Sequence, residues 1–203
     1  DGAKTLLIEA GGCLGGMWTL GMQTHATCFN DGKRVIVGGI AHEIIDRLVP
    51  LGGADSPEEN MQRPRPSFYV AFDPDLMKCV LDDMVTQAGA AVLMHTLCVG
   101  AMVEGNRVRG VITESKSGRR AVRAGVTIDC TGDADIAHFA GSKTLKGRES
   151  DGRCQPVTVT FMVAGADRDR AIKFYEADPN RRDELERQAR ARGEISVPQK
   201  MWL

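Results

Sequence analysis

The 203-residue chain sets 26 Lys and Arg against 27 Asp and Glu, and a net charge of −1 gives no electrostatic reason to expect nucleic acid or an anionic membrane as partner. Hydrophobic residues make up 42% and charged residues 26%, the balance of a globular chain that buries a core, and no apolar run approaches bilayer-spanning length. Six cysteines, at 13, 28, 79, 98, 130 and 154, form no C-x-x-C pair, so zinc and local iron–sulfur sites are not expected and no metal ligands are named.

In chain order, Leu6-Leu7-Ile8 is an uninterrupted apolar triplet after Lys4 and Thr5, as in a central parallel strand covered by helices on both faces. It ends at Glu9. A carboxylate at the tip of the second strand of a dinucleotide-binding fold accepts ribose hydroxyls, roughly 20 residues beyond a glycine-rich phosphate loop. No such loop precedes Glu9, so the triplet reads as a second strand in a chain that begins inside a domain. The rival reading makes the triplet a first strand and Gly11-Gly12-Cys13-Leu14-Gly15-Gly16 the phosphate loop. Against it, the loop lacks the G-x-G-x-x-G spacing, and Glu9 would meet a pyrophosphate with like charge. Residues 16–30 are also poor in helix formers.

Val37-Gly38-Gly39-Ile40 opens a helix whose Ile40, Ile44, Ile45 and Leu48 recur at helical spacing, with His42 and Glu43 on the solvated side. Residues 50–67, with Gly52-Gly53, several prolines and charges, read as an irregular excursion or a lid. A strand is expected over 68–72, then a helix with Asp73 as N-cap, Pro74 at its first position and Gly89 beyond its end. Leu76, Met77, Val80, Leu81, Met84 and Val85 form its apolar stripe, and Asp82 and Asp83 its wet face.

Residues 91–94 read as a second buried strand, with His95 a strand-end residue rather than a base. A meander follows over 98–103, 108–113 and 120–124, and a return strand over 126–130 ends in Thr131-Gly132-Asp133. Open α/β sheets bind ligands at that edge. Asp133 has two readings, a ligand neighbour or the N-cap of a helix over 134–140. Residues 155–163 alternate like a strand with one buried face, and 167–193 read as helical with a solvated mixed-sign surface.

The runs LLIEAGGCLGGMWTLGM, VGGIAHEIIDRL, FDPDLMKCVLDDM, VLMHTLCVGAMVEGNRVRGVITESKSGR and IDCTGDADIAHFAG, in that order, resemble the FAD-dependent oxidoreductases with a glutathione-reductase-type nucleotide domain. The nearest group includes relatives of the heterodisulfide reductase A subunit. The resemblance implies an α/β fold: an incomplete Rossmann-like FAD-binding domain with a parallel sheet, an antiparallel β-meander insertion and the start of a substrate domain. Its segments would be 1–50, an excursion or lid at 51–72, the FAD domain continued over 73–150 with the meander at about 97–125, and a truncated substrate domain at 151–203.

FAD is the implied cofactor. By the same resemblance Glu9 would hold the adenosine ribose, and Gly11, Gly12, Gly15 and Gly16 would line the cofactor. The backbone at Cys98 would meet adenine, and Thr131, Gly132 and Asp133 would approach from the return strand. Cys130 departs from the family, which more often has Ala there. Cys13 and Cys28 lie near the flavin loop and read as plain loop thiols. No catalytic acid, base or nucleophile is named. The partner would be a small-molecule substrate or an electron carrier, and the address the cytoplasm; the oligomeric state stays open. Two alternatives stand beside this reading: a catalytically inactive truncated nucleotide-binding fragment, and an NAD-dependent dehydrogenase using Glu9.

Overall fold

The computed structural model describes residues 2–62, 68–178 and 180–195, and falls into two units, 1–160 and 161–203. The middle of the 51–72 excursion, 63–67, and the end of the expected substrate segment, 196–203, lie outside the described residues.

In the first unit the apolar triplet forms β1 (Leu6–Ile8), and the glycine loop closes through one 3-10 turn, Gly16–Trp18, rather than a long helix. β2 (His25–Ala26) precedes α1 (Ile40–Leu48). Ile44, Ile45 and Leu48 are buried there as their spacing requires, but Ile40 is 71% exposed. It begins the helix, one turn short of the packed face. His42 also departs from the solvated side expected for it. Its side chain is half-buried, with Nε2 3.3 Å from Glu58 Oε1 and 3.9 Å from Asp46 Oδ1.

Glu58 belongs to α2 (Pro57–Met61), a short helix inside the excursion, capped by the Ser56 hydroxyl, which accepts from the Glu59 N–H at 3.3 Å. The strand expected over 68–72 contracts to β3 (Val70–Ala71), antiparallel to β2 with Ala26 opposite Val70. α3 (Pro74–Gln87) starts as its sequence dictates, the Asp73 carboxylate accepting from the N–H groups of Asp75 at 2.8 Å and Leu76 at 3.1 Å. Its Met77 and Val80 are buried. They join Phe29, Ile45, Leu48, Val70 and Phe72 in a core shared by α1, α3 and the β2–β3 pair, with Trp18 packed 5.5 Å from Phe72, ring to ring.

β4 (Ala91–Leu93) pairs with β1 in parallel, Leu6 opposite Ala91 and Ile8 opposite Leu93. The parallel pairing is as expected; the burial is not. Leu6, Val92 and Leu93 are exposed, because the core gathers on the α1–α3 side and too little covers this pair to hide it. β5 (Leu97–Glu104), β6 (Arg107–Ser115) and β7 (Gly118–Arg123) then form the antiparallel meander, with Val111 between Ala101 and Val122.

Residues 126–130 join no ladder among the described residues, so the expected return strand is not formed; Val126 and Ile128 are 81% and 80% exposed. α4 (Asp135–Phe139) follows. Residues 155–163 also lack a ladder partner among the described residues and have no buried face, Val157 being 96% exposed. Alternation gives a segment two faces; only a neighbouring backbone makes it a strand.

The second unit carries α5 (Arg168–Ala177) and α6 (Arg181–Ala191), which divide the charged stretch expected to be helical over 167–193. Asp167 caps the first by accepting from the Arg170 N–H at 2.9 Å, and extended Asp178 ends it. On α6 the charges pair one turn apart, as in Arg190 with Glu186 at 2.8 Å.

Candidate functional site

The carboxyl ends of β1 and β4 build the first part of the site. The ladder continues past both strands: Glu9 N–H donates to Leu93 O at 2.9 Å, Thr96 N–H to Glu9 O at 3.0 Å and His95 N–H to Gly11 O at 3.0 Å. The Glu9 side chain, half-buried at this edge, accepts the Gly11 N–H on Oε1 at 2.6 Å. Among the described residues no donor reaches its other oxygen, which stands ready for a hydroxyl-bearing ligand.

The four loop glycines differ in what they face. A side chain at Gly11 would strike Leu20, at Gly12 the His95 ring, and at Gly15 the side chains of Thr19 and Leu81. Buried Thr19 closes this loop by donating its hydroxyl to Leu14 O at 2.6 Å. Only Gly16 has open space where a side chain would stand.

The second part lies at the Thr131-Gly132-Asp133 turn. Thr131 donates both its N–H, at 2.9 Å, and its hydroxyl, at 2.7 Å, to Asp129 Oδ1, while Asp129 Oδ2 accepts the Ala137 N–H at 2.8 Å. The Asp135 N–H reaches Thr131 Oγ1 at 2.8 Å. The first turn of α4 is thus capped by Asp129 and Thr131. Its N-cap position is Ala134, in the left-handed conformation, and Asp133 is exposed, which removes the capping role from Asp133. Gly132 has open space about it.

Donation from the Thr131 hydroxyl, and then from the Ala137 and Thr131 N–H groups, holds the Asp129 carboxyl below its ordinary range against the opposing effect of burial. Burial, and after it the negative charge of Asp129, pushes the Cys98 thiol up. Asp129 thus acts on the turn through hydrogen bonds and on Cys98 through its charge. Sequence reading passed over it, although an acid two residues before Thr-Gly and ahead of a helix is the pattern of a side chain that captures orphan N–H groups.

The structure brings Glu9, Gly11, Gly12 and His95 together in one group. Cys98, Asp129 and Thr131, with Gly132 and Asp133, form another. Residues 95–98 join the two along the chain.

The sequence matches the family model described as FAD dependent oxidoreductase over residues 1–201. The chain belongs to this family. FAD is accordingly its cofactor, and the residues present suit it: an acceptor at the edge of a parallel pair, and open backbone at Gly16 and Gly132. No curated protein matches this FAD-dependent oxidoreductase sequence.

Among solved structures, THI4 of Thermovibrio ammonificans is similar with a TM-score of 0.44 and 19% identity, over 68% of this chain and 52% of that one. L-proline dehydrogenase from P. horikoshii gives 0.33 and 24%, over 51% and 26%. CabE, an aromatic hydroxylase from angucycline biosynthesis, gives 0.40 and 19%, over 70% and 33%. The chain spans about half or less of each, and the assignment rests on the family match. Among the described residues no helix is long and apolar enough to cross a membrane.

Proposed function

We propose that this FAD-dependent oxidoreductase holds the adenosine half of FAD at the carboxyl ends of β1 and β4, and serves hydride or electron transfer between the flavin and a small-molecule substrate or electron carrier. The observation that carries this is the Glu9 carboxylate, fixed at the edge of a parallel pair through one oxygen and free at the other. When bound, the isoalloxazine supplies the redox chemistry. Glu9 accepts ribose hydroxyls. Gly16 and Gly132 let the ligand approach the backbone, and Gly11, Gly12 and Gly15 shape the loop that presents Glu9. Thr131 and Asp133 border the cofactor from the turn, and the backbone at Cys98 borders adenine.

We further infer that this polypeptide by itself turns over no substrate. Apolar residues of 126–128 and 157–163 stand open to solvent, whereas a flavin site works by excluding water. Six unpaired cysteines suit the cytoplasm.

The deciding experiment is a titration of the purified chain with FAD, followed by flavin absorbance and fluorescence. A shifted, quenched flavin spectrum supports the reading. An unperturbed spectrum together with tight NAD binding moves the assignment to a nicotinamide-dependent dehydrogenase.

A further inference from the structure

We propose that His95 is a positioning residue for the adenosine half of the cofactor, an inference that rests on the FAD reading above. His95 directly follows the carboxyl end of β4 and takes φ 51, a left-handed conformation that residues with side chains rarely adopt. That turn carries its ring across to the loop after β1. There the ring lies over Gly12, so that a Cβ on Gly12 would sit 2.7 Å from Cε1 and 3.0 Å from Nε2.

The backbone of Gly12 is itself in an ordinary conformation, so the imidazole alone excludes a methyl group at this position. The His95 N–H holds Gly11 O at 3.0 Å, and the Gly11 N–H holds Glu9 Oε1 at 2.6 Å. Ring, loop and carboxylate form one unit. His95 is exposed, and its imidazole offers a flat aromatic surface over the loop whose Gly11 N–H holds Glu9, where a purine nucleoside would present its own flat base and hydroxyls. An unusual backbone conformation held at a ligand edge is the kind of strain that function retains.

The test compares the wild-type chain with His95→Ala, His95→Phe, Gly12→Ala and the double variant Gly12→Ala/His95→Ala. It measures dissociation constants for FAD and for FMN, which lacks the adenosine, and amide exchange at Gly11. His95→Ala is expected to weaken FAD by about tenfold and to leave FMN unchanged, while His95→Phe restores FAD affinity to within about threefold of wild type. Gly12→Ala is expected to cost as much as His95→Ala, and the double variant no more than either. FAD affinity within about twofold of wild type in His95→Ala, or equal losses of FAD and FMN, overturns the proposal. A wild-type chain that binds no FAD overturns the functional reading instead. Gly11 exchange then decides for His95: faster exchange in His95→Ala supports its hold on the loop, and unchanged exchange refutes it.

Discussion

The Asp129 carboxylate accepts the Ala137 N–H at 2.8 Å, so a residue of the segment before the Thr-Gly-Asp turn caps the helix after it. Its other oxygen takes the N–H and hydroxyl of Thr131, and one side chain therefore sets both the turn and the start of α4.

Asp129→Ala should lower stability by about 1–2 kcal/mol at neutral pH, the usual cost of losing a helix cap, measured as a shift in the urea midpoint. Because the folded-state carboxyl titrates below its unfolded value, this contribution is fully present above the ordinary carboxylate pKa of about 4 and disappears as pH falls through the lower folded value. Wild type and variant should converge in strong acid.

Cys98 should be alkylated more slowly by iodoacetamide than the exposed Cys28, Cys79, Cys130 and Cys154, since burial and the Asp129 charge both disfavour its thiolate. Asp129→Asn should speed its labelling, read by peptide mass spectrometry. Unchanged labelling would mean the charge does not reach the sulfur.

Glu9→Ala should weaken FAD by about tenfold to a hundredfold, the loss of charge-assisted hydrogen bonds. Glu9→Gln should fall between the two, because its amide oxygen still accepts the Gly11 N–H. Fluorescence titration separates the three proteins.

Leu48→Ala, in the shared core, should cost about 2–5 kcal/mol, and Ile40→Ala, at the exposed start of the same helix, about 0.5 kcal/mol or less. Equal costs in chemical denaturation would contradict the placement of the core.

What could be read in the chain beforehand was what neighbouring residues decide among themselves. Asp73 and Pro74 start α3 through local hydrogen bonds and a fixed φ, and the turns at 105–106 and 116–117 fold the meander onto adjacent strands. What could not be read depended on distant surfaces. An apolar triplet such as Leu6-Leu7-Ile8 announces burial without saying what lies over it, and 126–130 announces a strand without supplying its neighbour. His42 lies half-buried 3.3 Å from Glu58, which sits on a helix hidden inside a segment dominated by turn formers. Within the candidate site, Glu9 stood out as an acid ending an apolar run. Asp129 and His95 did not, because one acts through backbone donors across a turn and the other through a space left by a glycine in another loop.

The open segment around 157–163 has a consequence for handling the protein. From Cys154 to Ala166 no charged residue interrupts the chain, and within it Val157-Thr158-Val159-Thr160-Phe161-Met162-Val163 combines β-branched and aromatic side chains with a backbone that finds no ladder among the described residues. Such a stretch is a template for intermolecular cross-β stacking, with Pro156 on one side and Gly165 on the other as its only brakes. Concentration should therefore limit the life of a purified sample more than heat does, and a lysine at Thr158 or Thr160 should extend it.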